Sequence, residues 1–161
     1  MLSVRLVLSI VAAAALTLPA VAQSAAKNSS PASPWPPAGS ELIRPEELVK
    51  LLQSSLSPKP TIFNVGPPLI YMQAHIPGSE YIGPTAEARA REKLRARAAS
   101  LPRDTFLVIY CGCCSWEHCP NVRPAYQELK RMGFTRLKVL YLANSFGSDW
   151  VEKGYPTTKG E

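Results

Sequence analysis

The sequence predicts one α/β domain: a central, mostly parallel sheet flanked by helices in three layers. Three observations point there. Thr105-Phe106-Leu107-Val108-Ile109-Tyr110 and Leu137-Lys138-Val139-Leu140-Tyr141-Leu142 are almost continuously apolar, as strands covered on both faces are. Helical patterns alternate with these runs, the arrangement that parallel strands need for their crossovers. The chain has 161 residues, 46% of them hydrophobic, which suffices for one core but not for two ordinary domains. Its 16 prolines and 9 glycines are too few and too scattered for a fibrous or low-complexity chain.

The elements follow in order. Residues 1–22 have the layout of an export leader. A basic start ends at Arg5, an uncharged stretch runs from Leu6, Pro19 breaks it, and Ala20-Val21-Ala22 is a small-x-small cleavage site. The apolar run is at the short limit for a membrane span and ends in that proline, so the expectation is a cleaved protein, periplasmic or secreted, with no retained span. Residues 23–40 are rich in Pro, Ser and Ala with one large apolar group, Trp35, and read as a disordered tether. The folded domain is expected over 41–157, with a short tail at 158–161. Within it, Pro45–Leu52 is an amphipathic helix opened by proline, and Thr61–Val65 is a short strand of branched and aromatic residues. Ala86–Ala99 is a second helix, stopped before Pro102. Asn121–Met132 is a third, ending at Gly133, a suitable left-handed cap, and Gly147–Lys153 is a short last one.

The formal charge is +6, from 18 Lys and Arg against 12 Asp and Glu. Arg89, Arg91, Lys93, Arg95 and Arg97 cluster in the second helix without interleaved aromatic residues. This reads as a solvated helix face and not as a nucleic-acid surface.

The chemistry concentrates in one place. Tyr110, at a buried strand's end, is followed by Cys111-Gly112-Cys113-Cys114-Ser115-Trp116-Glu117-His118-Cys119-Pro120 before a helix begins. All 4 cysteines and one of the 2 histidines fall here. In parallel sheets the reactive site lies beyond the carboxyl ends of the strands. A thiol there, facing a helix amino end, meets N–H groups and a positive dipole end that favour the nucleophilic thiolate. Cys111 is therefore the expected nucleophile.

Leu42 to Pro156 resembles the rhodanese family of sulfurtransferases. The matching pieces are Glu46-Glu47-Leu48, Ile62-Phe63-Asn64-Val65, His75-Ile76-Pro77-Gly78-Ser79, Leu107-Val108-Ile109-Tyr110-Cys111, Gly133-Phe134, Trp150 and Gly154-Tyr155-Pro156. The resemblance implies the rhodanese-like three-layer fold. It also implies that Cys111 takes up a sulfane sulfur as a persulfide, cradled by backbone amides, and passes it to a thiophilic acceptor. Three departures qualify this. Asn64 and Gly66 stand where the family usually has Asp and Arg, the loop after Cys111 is longer than the common form, and it holds no cation before Arg123. Thiosulfate is thus a poorly matched donor. Phosphatases of this fold need Arg where Glu117 stands.

Three readings of the extra cysteines remain open. In the first, Cys114 (or Cys113 or Cys119) resolves a persulfide or mixed disulfide on Cys111, while the amides of Gly112, Cys113, Cys114 and Ser115 stabilise the sulfur anion. Cys111 and Cys114 form a Cys-x-x-Cys pair. In the second, Cys113, Cys114, His118 and Cys119, with or without Cys111, bind a soft metal, Cu(I) or Zn(II). In the third, disulfides merely staple the loop, since no pairing joins distant parts of the fold. No organic cofactor is implied. The expected partners are a small sulfur donor and a thiol acceptor or redox protein. Of the remaining residues, His75 is expected to fix a turn, Trp150 to sit in the core, Trp116 to cover or anchor the loop, and Ser115 to reach the Cys111 sulfur.

Overall fold

Five strands, β1 (Leu42–Ile43), β2 (Thr61–Asn64), β3 (Glu80–Tyr81), β4 (Leu107–Tyr110) and β5 (Leu137–Leu140), form one sheet in the order β1-β5-β4-β2-β3, and every pairing is parallel. This computed structural model describes Trp35, Pro37, residues 39–55 and residues 58–160. The predicted leader and most of the tether lie outside the described residues. No helix among the described residues is long and apolar enough to cross a membrane.

Strand alternation explains how the layers form. Ile62, Val108, Tyr110 and Leu140 face one side, where they meet Leu48 and Val49 of α1 (Pro45–Gln53), Ile76, Phe146 and Trp150. Phe63, Leu107, Ile109, Leu137 and Val139 face the other. There they meet Leu94 and Ala98 of α3 (Ala88–Ala99) and Ala125, Tyr126 and Leu129 of α4 (Val122–Arg131). All four residues of β4 are buried, so the central strand is covered on both faces, as its apolar run predicts. Cys111 continues the parity of Leu107 and Ile109, and the chain delivers it, 2% exposed, to the α3–α4 side.

Helix α2 (Pro68–Gln73) is absent from the sequence prediction, because Pro67-Pro68 reads as a break. Pro68 in fact occupies the first helical position, where its missing N–H costs nothing. The two-residue strands β1 and β3 are too short to carry a period and are also absent from it. The last helix is a π-helical turn over Gly147–Val151.

The basic run of α3 is largely solvated, with Arg89, Lys93 and Arg95 exposed, but most of its cations are also engaged locally. Arg91 donates to the Thr85 and Ala86 carbonyls, Lys93 to the Tyr81 carbonyl, and Arg97 makes a two-pronged pair with Glu80 at 2.6 and 2.7 Å. Arg95 reaches across to the buried Glu128 of α4 at 3.3 Å, which Arg131 also holds at 2.8 Å. His75 is buried and its ring holds the end of α2. Its ring stacks on Tyr71 with centroids 3.8 Å apart, its Nδ1 lies 2.8 Å from the Tyr71 carbonyl, and its backbone pairs with Thr158. Trp150 is fully buried, its indole N–H donating to the Pro156 carbonyl at 2.9 Å.

Candidate functional site: a ladder of thiols between β4 and α4

The loop from Cys111 to Asn121 is pinned at several points. Gly112 adopts φ +88°, and a Cβ there would stand 2.7 Å from Phe146 Cβ, so only glycine fits both the backbone and the space. The Phe146 N–H donates to the Gly112 carbonyl at 3.1 Å, and the Trp116 N–H to the Leu142 carbonyl at 3.0 Å. Trp116 opens a 3-10 turn, Trp116–His118. Its ring packs on Tyr141 and stacks on Trp35 at 5.4 Å, and Trp35 also meets the Tyr126 ring edge-on. The one large apolar residue before the domain therefore roofs the cysteine loop.

Under this roof the sulfur atoms are strung in sequence. Cys111 Sγ lies 3.2 Å from Cys113 Sγ, and Cys113 Sγ 3.1 Å from Cys114 Sγ. Cys119 folds back so that its sulfur, with those of Cys111 and Cys113, forms a triangle in which no two are more than 4.8 Å apart. All four are free thiols. Cys111 is buried and the other three are partly exposed, so the ladder runs from solvent inward.

Two asparagines position the inner end. The Asn121 amide donates to Cys111 Sγ at 3.3 Å and points toward Cys113 Sγ at 3.9 Å. It is oriented by its own oxygen, which accepts the Ala86 N–H at 3.0 Å, while its carbonyl accepts the Thr85 hydroxyl. Asn64, at the end of β2, donates to the Cys111 carbonyl at 3.3 Å and accepts the Gly66 N–H at 3.0 Å. A carboxylate at position 64 could not make that donation, so Asn is suited to this loop where the resembling family has Asp. Gly66 is equally matched: a Cβ would lie 2.6 Å from the Cys111 carbonyl oxygen and 3.1 Å from its sulfur. No larger side chain, Arg included, fits against this strand end.

Electrostatics divide the thiols. The helix-start argument applied to Cys111 from sequence belongs to Cys119, two residues before the α4 N-cap Asn121. The Cys111 thiol donates to the Cys119 sulfur, the backbone N–H groups of Asn121 and Val122 face it too, and Cys119 is lowered to about 6. Cys111 is pushed up by that same hydrogen bond and by burial, against the Cys113 N–H, which favours its charged form. Burial, followed by the Cys113 thiol, raises Cys114 to about 12. Cys119 is thus the thiolate and Cys111 the proton-bearing partner.

The other loop residues expected at the site are placed as follows. Ser115 does not reach Cys111; its hydroxyl sits 2.9 Å from His118 Nδ1 on the exposed side. His118 lies outside the sulfur triangle, and Cys114 flanks it, touching Cys113 and the Cys119 sulfur, with its thiol also facing the His118 carbonyl at 3.6 Å. Sequence reasoning missed Asn64, Gly66 and Asn121 as site residues. Asn64 and Gly66 carried a signal, as departures from the resembling family's Asp and Arg, and Asn121 a weaker one, as a polar residue just before the helix that follows the cysteine loop. A cleft of about 410 Å³ opens beside Gly112 and Cys113, walled by Ile70, Ala74, Phe146 and Val151. A larger concavity of about 580 Å³, near Phe106, Arg136 and Lys138, lies at the opposite, amino end of the sheet and faces no reactive group.

No family model matches the sequence, and no curated protein matches it. Solved structures do. The chain is similar to a rhodanese-like domain from Anabaena sp., solved in solution, at 23% identity and a TM-score of 0.54 over 74% of this chain and 79% of that one. It is similar to a crystal structure of the same Anabaena protein at 21% identity and a TM-score of 0.55, covering 73% of this chain and 92% of the other. A protein from Bacillus halodurans matches at 17% identity and 0.55, over 74% and 77%. With its five parallel strands, two helical layers and thiol-bearing strand end, the chain is a domain of rhodanese-like fold.

Proposed function

We propose that this domain takes up sulfane sulfur and carries it along the thiol ladder to Cys111. The observation that carries the reading is the unbroken run of contacts Cys114–Cys113–Cys111, at 3.1 and 3.2 Å, leading from solvent to a buried sulfur. The chemistry is persulfide exchange. A ladder thiol, giving its proton to the neighbouring Cys119 thiolate, attacks the outer sulfur of a small hydropersulfide, R–S–SH. A new S–S bond forms, the donor's S–S bond breaks, and its electron pair leaves as R–S⁻. The thiol of the next rung then attacks the same outer sulfur, which moves one rung inward and restores the first thiol. Sulfur changes hands without net oxidation, and the last step reversed delivers it to an acceptor thiol. At the inner end the Asn121 amide and the Cys113 N–H support the persulfide anion, and burial keeps water and competing thiols away. The absence of any cation in the loop favours an uncharged or weakly charged donor over thiosulfate. The reading includes export, with the leader removed near Gln23.

The test uses reduced, metal-free protein and a small organic hydropersulfide, with intact and fragment mass spectrometry. One added sulfur on Cys111, lost in Cys111→Ser and acquired more slowly in Cys113→Ser, is the expected result. If the wild type gains no sulfur, or if Cys111→Ser retains as much, the proposal fails.

A further inference from the structure

We infer that Cys111, Cys113 and Cys119 together form a three-thiolate site for Cu(I). The inference shares sulfur atoms with the transfer reading but does not rest on it. Three observations lead to it. First, the three sulfurs form a closed triangle within 4.8 Å. A trigonal centre with metal–sulfur bonds of about 2.3 Å needs sulfurs about 4 Å apart, so Cys111 and Cys113, at 3.2 Å, open by less than ~1 Å.

Second, the donor set is soft and has three members. Cys114 touches Cys113 and the Cys119 sulfur but is not within 4.8 Å of all three. His118 presents its Nδ1 to Ser115 and lies outside. Among the described residues no carboxylate or imidazole joins the three sulfurs. Zinc would require a fourth ligand to complete a tetrahedron, whereas Cu(I) is selected by thiolates and is satisfied by few of them.

Third, the surroundings suit a low-coordinate thiophilic ion. The Asn121 amide faces two of the sulfurs and is itself fixed by Ala86. The backbone N–H groups of Asn121 and Val122 meet the third. These donors orient thiolates and offset their charge. Above the loop, the Trp35–Trp116 stack and the partly buried contacts of Trp116 and Cys119 with the core restrict water. The ligand set is narrower than the one that sequence spacing suggests: Cys111, Cys113 and Cys119 remain, and Cys114 and His118 drop out.

The experiment is an anaerobic titration of the reduced protein with Cu(I) in competition with a colorimetric Cu(I) chelator, followed by X-ray absorption at the copper edge. Expected are one Cu(I) per chain with three sulfur neighbours, and an affinity loss of at least ~10-fold in each of Cys111→Ser, Cys113→Ser and Cys119→Ser. Cys114→Ser and His118→Ala should change affinity by less than ~2-fold, against a measured folded fraction for each variant. Cys113 is partly exposed, so its variant reads binding even if Cys111→Ser fails to fold. No binding, a two-sulfur site, or equal dependence on Cys114 would overturn the inference. Sulfur uptake by metal-free protein is measured separately, so either proposal can fall alone. If both hold, Cu(I) loading should block sulfur uptake.

Discussion

Substituting Gly66 by Ala adds one methyl group and aims it at the site. The built Cβ falls 2.6 Å from the Cys111 carbonyl oxygen, 3.2 Å from its carbonyl carbon and 3.1 Å from its sulfur. Every one of these atoms belongs to Cys111, and none is the free end of a long side chain that could swing away. The Asn64 amide holds that carbonyl in place at 3.3 Å. Restoring ordinary contact requires the Cys111 backbone to retreat by about 0.5–1 Å. Overpacking of this kind costs about 2 kcal/mol, or a fall in Tm of about 5–10 °C for a domain of this size. Displacing a reacting atom by up to ~1 Å costs up to ~100-fold in rate, so sulfur uptake should slow by ~10-fold or more. The assay is thermal unfolding by circular dichroism with timed mass spectrometry of sulfur gain. Gly39→Ala, with nothing within 4 Å of its Cβ, is the control. A Gly66→Ala protein that melts within ~1 °C of wild type and loads sulfur at the wild-type rate would refute the packing argument.

Gly112→Ala combines the left-handed penalty at φ +88° with the 2.7 Å approach to Phe146 Cβ. It should cost about 3 kcal/mol in chemical denaturation, and Phe146→Leu in the same chain should recover part of that loss. Asn121→Ala removes the donor to Cys111 and strands the Ala86 N–H. It should lose about 1–3 kcal/mol of stability and shorten the lifetime of any persulfide on Cys111, read by mass spectrometry over time. In reduced, metal-free protein, one thiol should alkylate with a midpoint near pH 6 and map to Cys119. Thiolate is lost as pH falls through that value, so the rate should drop below it; an ordinary free thiol has its midpoint near ~8.5. Replacing both Arg95 and Arg131 by Met leaves the buried Glu128 carboxylate unpaired. Because both arginines are about half exposed, the expected loss is about 2–3 kcal/mol, largely reversed by adding Glu128→Gln.

The central strands were legible in the sequence because burial on both faces writes an unbroken apolar run, as in Leu107–Tyr110. The cysteine loop was legible because its composition is extreme. What sequence spacing could not convey is pairing between distant positions. Asn64 and Cys111, 47 residues apart, meet only because β2 and β4 lie side by side in register, with Asn64 opposite Tyr110. The direction of the helix-start effect was read one turn of loop too early. Cys111 follows the strand, but the chain needs the whole loop to reach α4, and Cys119 is the thiol that arrives there. Trp35 was hidden for a similar reason: a single aromatic residue among prolines carries no period, and its partner Trp116 lies in another loop.

Tyr110 and Cys111 are chain neighbours anchored to opposite layers. The tyrosine hydroxyl accepts the Ile76 N–H at 3.1 Å and meets the Ser79 hydroxyl at 3.2 Å, while the cysteine faces α4. The strand end is therefore clamped from both sides, like a post set between two walls, and its sulfur is held away from solvent. On the transfer reading proposed above, cargo would be handed inward by the outer cysteines, and the tempo of the device would be a property of their rotation and not of the post.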